Sequence, residues 1–335
     1  MNLLAVESPS VHAHPSSETR LRQLAVIAVT RLTETITHFE CADPAGGRLV
    51  SYEPGSHLIV TAGAVRNTYS LVGDGVNPLS YGISVLRREP GDPAASGGSA
   101  WLHDTLHVGS TVMVEGPRSL FAPRTTARRS LLVAGGIGVT PILSHARAAA
   151  RWGRPAEVVY VYRTGHGAHV DDLRELADSG AITLFEAHNQ TDAAALLRDR
   201  LAAQPMGTHA YACGPVSLLD TYLSLGQEAG WPAERLHSER FEVPPQQPGL
   251  PFTATIASTG ARLEVPAGVS LLDALLEHGV PVANLCRRGV CGECRIPVRS
   301  GSIEHRDYVL SEQEKSAHTS MLCCVSRGDE IEVDL

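Results

Sequence analysis

LCRRGVCGECRIPV, residues 285–298, sets Cys286, Cys291 and Cys294 at C-x4-C-x2-C spacing, and the pair Cys323-Cys324 follows downstream. Three thiolates in one tight loop, with a fourth brought from far along the chain, are the donor set of a 2Fe–2S cluster. Structural zinc usually takes two short cysteine pairs instead. Gly289 and Gly292 sit where the backbone must come close to the cluster. Strand alternation lets only one of Cys323 and Cys324 face the cluster, and spacing does not choose between them.

Working outward, the chain has 335 residues, a hydrophobic share of 43% and seven cysteines, five of them between Cys286 and Cys324. At ~100–200 residues per domain, the length implies two or three domains. The apolar share is ample for packed cores. No apolar run approaches the ~18 residues of a membrane span. Residues 1–20 lack the basic start and apolar centre of a signal peptide and read as a disordered tail. A cytoplasmic, reducing compartment is therefore expected, where clustered cysteines serve metals or redox chemistry. The net charge of −8 argues against a nucleic-acid partner.

Upstream of the cysteine loop the texture changes twice. Residues 21–125 carry short alternating runs such as SHLIVTA, NTYSLV and YGISVLR, separated by turns at Glu53–Gly55, Gly73–Gly75 and Pro90–Asp92. These predict an antiparallel barrel interrupted by a short helix over Ala100–Leu106. Residues 126–241 alternate apolar strands (SLLVA, EVVYVY, ITLFE, THAYAC) with helical stretches, which predicts a parallel sheet covered on both faces. Pro244, Pro245, Pro248 and Pro251 stiffen a linker at 242–251. Residues 252–335 then offer a hairpin around Thr259-Gly260, a helix capped by Ser270, the cysteine loop and a closing strand.

Two further loops carry chemistry. LLVAGGIGVTP runs from a strand through Gly135, Gly136 and Gly138 into a helix expected to have Thr140 as N-cap and Pro141 at N1. THAYACGP ends another strand at Cys213, Gly214 and Pro215. Both loops fall at the carboxyl ends of strands, where open α/β sheets bind ligands and helix N-termini accept a pyrophosphate. In the first region VRNTYSLV supplies Arg66, Thr68, Tyr69 and Ser70: a cation for a phosphate, a flat ring and a hydroxyl. Gly97, Gly98 and Ser99 sit just before the short helix, where backbone N–H groups and the Ser99 hydroxyl suit a terminal phosphate.

The end of the chain resembles a plant-type ferredoxin domain, a β-grasp fold, from Phe252 to Leu335, and its CCVSR string resembles that family's closing motif. That match implies Cys324 as the fourth ligand, with Cys323 in the wall. GGIGVTP with CGP resembles the nucleotide domain of the ferredoxin–NADP reductase superfamily. The resemblance implies NADH, with Cys213 beside the nicotinamide and the glycine turn at the pyrophosphate. Arg163, at another strand end, is a candidate for the adenosine side. Arg66, Tyr69 and Ser70 match the family's flavin motif, with the backbone of Ile83 and Val85 along the ring edge. Ser70 and Cys213 would position the two reacting centres. HSERFEV resembles the family's carboxylate and aromatic at the flavin, offering Glu239 and Phe241. The Gly-Gly-Ser loop favours FMN over FAD.

The domain order resembles the phthalate dioxygenase reductase family, which includes vanillate demethylase reductases. The fold expected is multidomain: an antiparallel β-barrel for flavin, an α/β parallel-sheet NAD domain and an α+β β-grasp ferredoxin. The function implied is a monomeric, NADH-dependent reductase that passes single electrons to a separate Rieske-type oxygenase. A haem-thiolate monooxygenase as acceptor, or a non-catalytic iron–sulfur sensor, are the alternatives. The histidines read as structural or surface, His57 has only a faint family echo, and no Ser–His–Asp arrangement is visible. Asp171-Asp172 and Arg87-Arg88 read as solvated pairs.

Residues 252–335 hold twelve acidic against eight basic residues. An acidic module of this kind docks on a basic partner face, so electron delivery to the acceptor should slow as ionic strength rises from about 0.01 to 0.15 M. A rate flat with salt in stopped-flow would contradict it.

Overall fold

A computed structural model describes residues 21–89, 92, 97–243 and 246–335. The expected tail at 1–20, most of the Pro90–Asp92 turn and Pro244-Pro245 of the linker lie outside the described residues.

The first region is antiparallel throughout. Its strands are β1 (Arg22–Arg31), β2 (Ile36–Ala42), β3 (Ser56–Ala62), β4 (Val65–Ser70), β5 (Ser80–Leu86) and, after helix α1 (Gly98–Thr105), β6 (Thr111–Ser119). They lie in the order β4-β3-β6-β1-β2-β5, and a bridge between Leu71 and Ile83 brings the two ends of the sheet together. Period-two alternation sends Tyr81, Ile83 and Val85 of β5 into the barrel core with Phe39, Leu58 and Val60.

The second region alternates as expected. Strands β7 (Arg129–Gly135), β8 (Ala156–Val161), β9 (Thr183–Ala187), β10 (Thr208–Cys213) and β11 (Leu236–Glu239) pair in parallel, in the order β11-β10-β7-β8-β9. Helices α2 (Val139–Arg151) and α3 (Val170–Asp178) cover one face, while α4 (Gln190–Ala202) and α5 (Val216–Glu228) cover the other. Leu131 and Val133 face one core and Leu132 and Ala134 the other, which is why the strands read as unbroken apolar runs.

The third region is a mixed sheet of β12 (Phe252–Ile256), β13 (Arg262–Val265), β14 (Arg295–Glu304), β15 (Ser320–Leu322) and β16 (Arg327–Val333), in the order β13-β12-β16-β14-β15. Helix α6 (Leu271–Glu277), capped by Ser270 as expected, buries Leu271, Leu272 and Leu275 in this core, and the short α7 (Glu312–Ala317) lies beside β15.

Boundaries differ from the sequence reading at two helices: α1, expected over Ala100–Leu106, begins two residues earlier at Gly98, and α2 begins before Thr140. A 3-10 turn over Gly136–Gly138 runs directly into α2, whose N-cap is Gly138, so Thr140 and Pro141 are the second and third helical residues. The Thr140 hydroxyl donates to the Ile137 carbonyl at 3.0 Å and closes the turn instead of capping the helix. The glycines make this possible, because Gly136 takes a φ of 53° that β-branched residues avoid.

Candidate functional site

The cysteine loop between α6 and β14 gathers its thiols in pairs. Cys286 is pulled down in pKa, first by the thiol of Cys291 and then by backbone N–H groups, and the Arg288 N–H donates to its sulfur at 3.3 Å. Cys294 is pulled down by the thiols of Cys323 and Cys324. Among the described residues no three His, Cys, Asp or Glu side chains converge on a single ion. Two groups of thiols, Cys286 with Cys291 and Cys294 with Cys323 and Cys324, suit a binuclear centre better than a mononuclear zinc cage. The adjacent cysteines differ in what they touch. The Cys323 thiol donates to the Cys294 carbonyl at 3.2 Å, whereas the Cys324 sulfur also faces Cys286 and the N–H of Gly289.

A cavity of about 710 Å³ opens beside this loop. Its barrel side is Val65–Ser70 of β4 with Ser99 of α1; its α/β side is Ile137, Thr140 and Glu239–Phe241; its third side is Asn284–Arg288, Val290 and Cys291. The sequence motifs from all three regions therefore share one volume. Arg66 stands at the wall, paired with Glu115 at 2.6 Å. Tyr69 is steadied by the Asn67 amide, which donates to its hydroxyl at 3.3 Å. Ser99 accepts from the Arg88 N–H at 3.1 Å, which ties the start of α1 to the end of β5. A side chain on Gly98 would put its Cβ 2.2 Å from the Asn67 amide nitrogen, so only glycine fits there without displacing it.

Behind the wall the two nucleotide-type loops interlock. A Cβ on Gly138 would stand 2.2 Å from the Cys213 carbonyl oxygen, and one on Gly135 2.7 Å from Pro215. Cys213 is fully buried, its thiol pushed up by desolvation first and then by Glu239, its partner in the β10–β11 register. It lies beneath the cavity floor and does not line the cavity; Glu239 does. One Glu239 carboxylate oxygen is buried with no hydrogen-bond partner, and burial raises that carboxyl to about 8. Phe241 lines the cavity and packs on the α/β core. Arg163 lies away from this volume, exposed just past the end of β8.

Several lining residues went unrecognised in the sequence. Ser84 and Leu86, not Ile83 and Val85, put side chains at the cavity, because the latter two point into the barrel. His57 lines it, opposite Ser70 in the β3–β4 register, and strand pairing of EPGSHLIV with NTYSLV is the signal that could have found it. Arg88 lines it and pairs with Asp92 and Glu242, so Arg87-Arg88 is not a plain solvated pair. A Ser–His–Asp arrangement does exist: Ser84, His169 and Asp172 are hydrogen-bonded in series. Its members come from two regions and 85 residues of separation between Ser84 and His169, which no local motif signals.

Comparison with known proteins agrees with this architecture. The family description for the N-terminal domain of dimethylamine monooxygenase subunit DmmA-like proteins matches residues 115–236, and that for the 2Fe-2S iron-sulfur cluster binding domain matches residues 254–327. The heme-dependent oxidative N-demethylase beta subunit of Ectopseudomonas mendocina is 38% identical over 92% of this chain and 96% of its own. The structure of phthalate dioxygenase reductase, described as modular for electron transfer from pyridine nucleotides to [2Fe-2S], matches with TM-score 0.68 and 32% identity over 94% of this chain and 98% of that one. The chain belongs to the phthalate dioxygenase reductase family. An intact type IV self-sufficient cytochrome P450 monooxygenase also matches, with TM-score 0.81 and 30% identity over 98% of this chain, which spans only 43% of that longer polypeptide. The reductase is thus an oxidoreductase component of an oxygenase system, with a 2Fe–2S ferredoxin domain at its C-terminal end. Among its described residues no helix is long and apolar enough to cross a membrane.

Two outcomes are expected of the reductase. Gly138→Ala should cost about 2–3 kcal/mol of stability, read as a lowered Tm, because backbone of the facing loop blocks the added methyl. Glu239 sets a pH dependence of known sign. The folded carboxyl keeps its proton to about 8 against an ordinary value of 4.5. Its stabilisation is full below the ordinary value and is lost as pH rises toward the folded one, by at most about 1.4 kcal/mol per pH unit. Glu239→Gln should flatten the fall in Tm between pH 5 and 8.

Proposed function

We propose that the reductase takes a hydride from NADH onto FMN held in the 710 Å³ cavity, and delivers the electrons singly through a 2Fe–2S cluster to a separate terminal oxygenase. The cavity itself carries this reading: β4, the Ile137–Thr140 turn and the Cys286–Cys291 loop border one volume, so no group has to travel between them. When bound, the flavin exchanges a two-electron hydride for single electrons and the cluster accepts them one at a time. The labour divides by region: 21–125 for flavin, 126–241 for NADH and 252–335 for the cluster, joined by the linker at 242–251.

The residues present fit those groups. Arg66, released from Glu115, and the N–H groups at Gly98 and Ser99 receive the FMN phosphate. Tyr69 lays its ring on the flavin face, Thr68 and Ser70 supply hydroxyls, and the backbone at Ile83 and Val85 follows the ring edge. Phe241 covers the other side. Gly135, Gly136 and Gly138 with Thr140 and Pro141, facing Gly214 and Pro215, receive the NADH pyrophosphate, and Arg163 reaches toward its adenosine half. Cys213 supports the nicotinamide from beneath the floor, and Glu239, neutral at pH 7, places a hydrogen-bond donor where a buried anion would repel the developing charge. Cys286, Cys291, Cys294 and Cys324 hold the cluster. Holding donor and acceptor in register is what speeds the hydride step. Cysteines given to a cluster and none to disulfides among the described residues suit a reducing cytoplasm, where the reductase acts as a monomer.

The acceptor has two readings. A Rieske-type oxygenase follows from the phthalate dioxygenase resemblance. The DmmA-like match at 115–236 and the 38% identity to a heme-dependent N-demethylase subunit favour a haem-containing amine monooxygenase instead. Coupled NADH turnover with the oxygenase encoded beside this gene separates them. Cys291→Ser should keep NADH-driven ferricyanide reduction within about twofold and lose at least about tenfold of cytochrome c reduction, because only the latter needs the cluster. Equal survival of both would place the cluster off the electron path.

A further inference from the structure

Ser84 lies on β5 with its side chain turned out of the barrel, buried, and bordering the cavity. Its Oγ stands 2.7 Å from His169 Nε2 and 2.9 Å from His38 Nδ1. On the far side His169 Nδ1 stands 2.7 Å from Asp172 Oδ2. The His169 side chain is only 4% exposed, whereas that of Asp172 is 34% exposed and also pairs with Arg147 of α2. A continuous hydrogen-bonded line therefore runs from the cavity wall, across the joint between barrel and α/β unit, to solvent.

Proton counting shows that this line can reverse its direction. A hydroxyl has one proton to give. The Asp172 carboxylate accepts from His169 Nδ1–H, so a neutral His169 leaves Nε2 bare to accept from Ser84, and Ser84 Oγ then accepts from His38 Nδ1–H. A protonated His169 donates from Nε2 instead, and Ser84 must turn its O–H away. The groups in contact with His169 are Ser84 of β5, His38 of β2 and Asp172 of α3, while Glu40 of β2 acts on His38 and Arg147 of α2 on both His38 and Asp172. Asp172 is held below the usual carboxylate range, first by its hydrogen bond with His169 and then by Arg147, so it stays ionised and anchors Nδ1–H. His38 is kept neutral by burial and by His169, down to about 4. A hydroxyl that donates to one imidazole and accepts from the other keeps one lone pair, turned toward the cavity, on which it can receive a proton while handing its own along the line.

We propose that Ser84, His169 and Asp172 form the exit for the proton that each NADH leaves behind. The inference rests on the function proposed above. A hydride is one proton and two electrons; once both electrons have gone toward the acceptor and NAD+ has left, one proton per turnover remains to be delivered to solvent. Ser84 takes it on Oγ while passing its own proton to His169 Nε2. His169 passes its Nδ1 proton to the Asp172 carboxylate, which gives it up to water and is ionised again, and the three groups return to their starting state after the ring and hydroxyl reset.

Two measurements on the full-length, cofactor-loaded reductase test this. In nitrogen NMR of the histidine rings, protonation of His169 should switch His38 from its Nδ1–H to its Nε2–H tautomer, and Ser84→Ala should uncouple the two. In anaerobic stopped-flow with NADH, cytochrome c and a pH indicator, His169→Asn should slow proton release about tenfold relative to cytochrome c reduction in the same trace, and added imidazole should restore the ratio. Asparagine suits the test because residue 169 has a φ of 58°, which Asn tolerates. A His38 ring indifferent to His169, or proton release that keeps pace with cytochrome c reduction in His169→Asn, overturns the relay. Absence of any NADH-driven flavin bleaching in the unaltered reductase overturns the proposed function, and the relay with it.

Discussion

Glu115 of β6 holds Arg66 at 2.6 Å and faces Arg118 at 4.0 Å, and Arg118 pairs in turn with Glu293 inside the cysteine loop. This run of alternating charge ties the cysteine loop to the barrel at the mouth of the cavity, where the proposed path from flavin to cluster crosses. The side chains of Arg118 and Glu293 are 31% and 25% exposed, so the pair is worth on the order of 1 kcal/mol. Its role is placement more than stability: Glu293 sits between two of the loop cysteines, and fixing it fixes them.

The barrel and the α/β unit are joined differently. Ile36, Val72 and Phe121 of the barrel side are buried in the same core as Leu143 and Ala146 of α2. Ser144 donates to the Gly73 carbonyl at 2.6 Å, Arg147 to the Val72 carbonyl at 2.9 Å, and Arg151 pairs with Asp74 at 2.8 Å. Apolar burial of this kind gives a joint without slack. The contrast follows the chemistry, since a hydride must be handed over between atoms in near contact, whereas an electron tolerates a gap. Ser84, His38 and His169 sit in that rigid joint, where a chain of short hydrogen bonds can persist.

Local signals were legible along the whole chain. The alternating runs became the barrel, the apolar runs the parallel sheet, and Ser270 the cap of α6. Gly138 was recognised as a turn residue, but not that the Cys213 carbonyl presses on it, since that contact joins two distant strands. Thr140 was misplaced by two positions because a glycine turn can enter a helix through a 3-10 step that composition does not mark. Asp172 reads as solvent-facing in the sequence; His169 three residues before it is a local partner, whereas its pairing with Arg147 and the link from His169 to Ser84 come only when α3 packs on α2 and the barrel.

What the sequence determines by itself is the set of parts: cysteine spacing, glycine turns and hydrophobic periods are encoded within a few residues and need no partner to be read. What only the tertiary structure decides is which parts meet. Cys324 faces Cys286 and Gly289 while Cys323 bonds a carbonyl. Glu239 loses its hydration, and Ser84 turns from an ordinary strand residue into the link between a cavity and the surface. Those outcomes depend on burial and on distances of a few ångströms between residues far apart in the chain, and folding alone sets both.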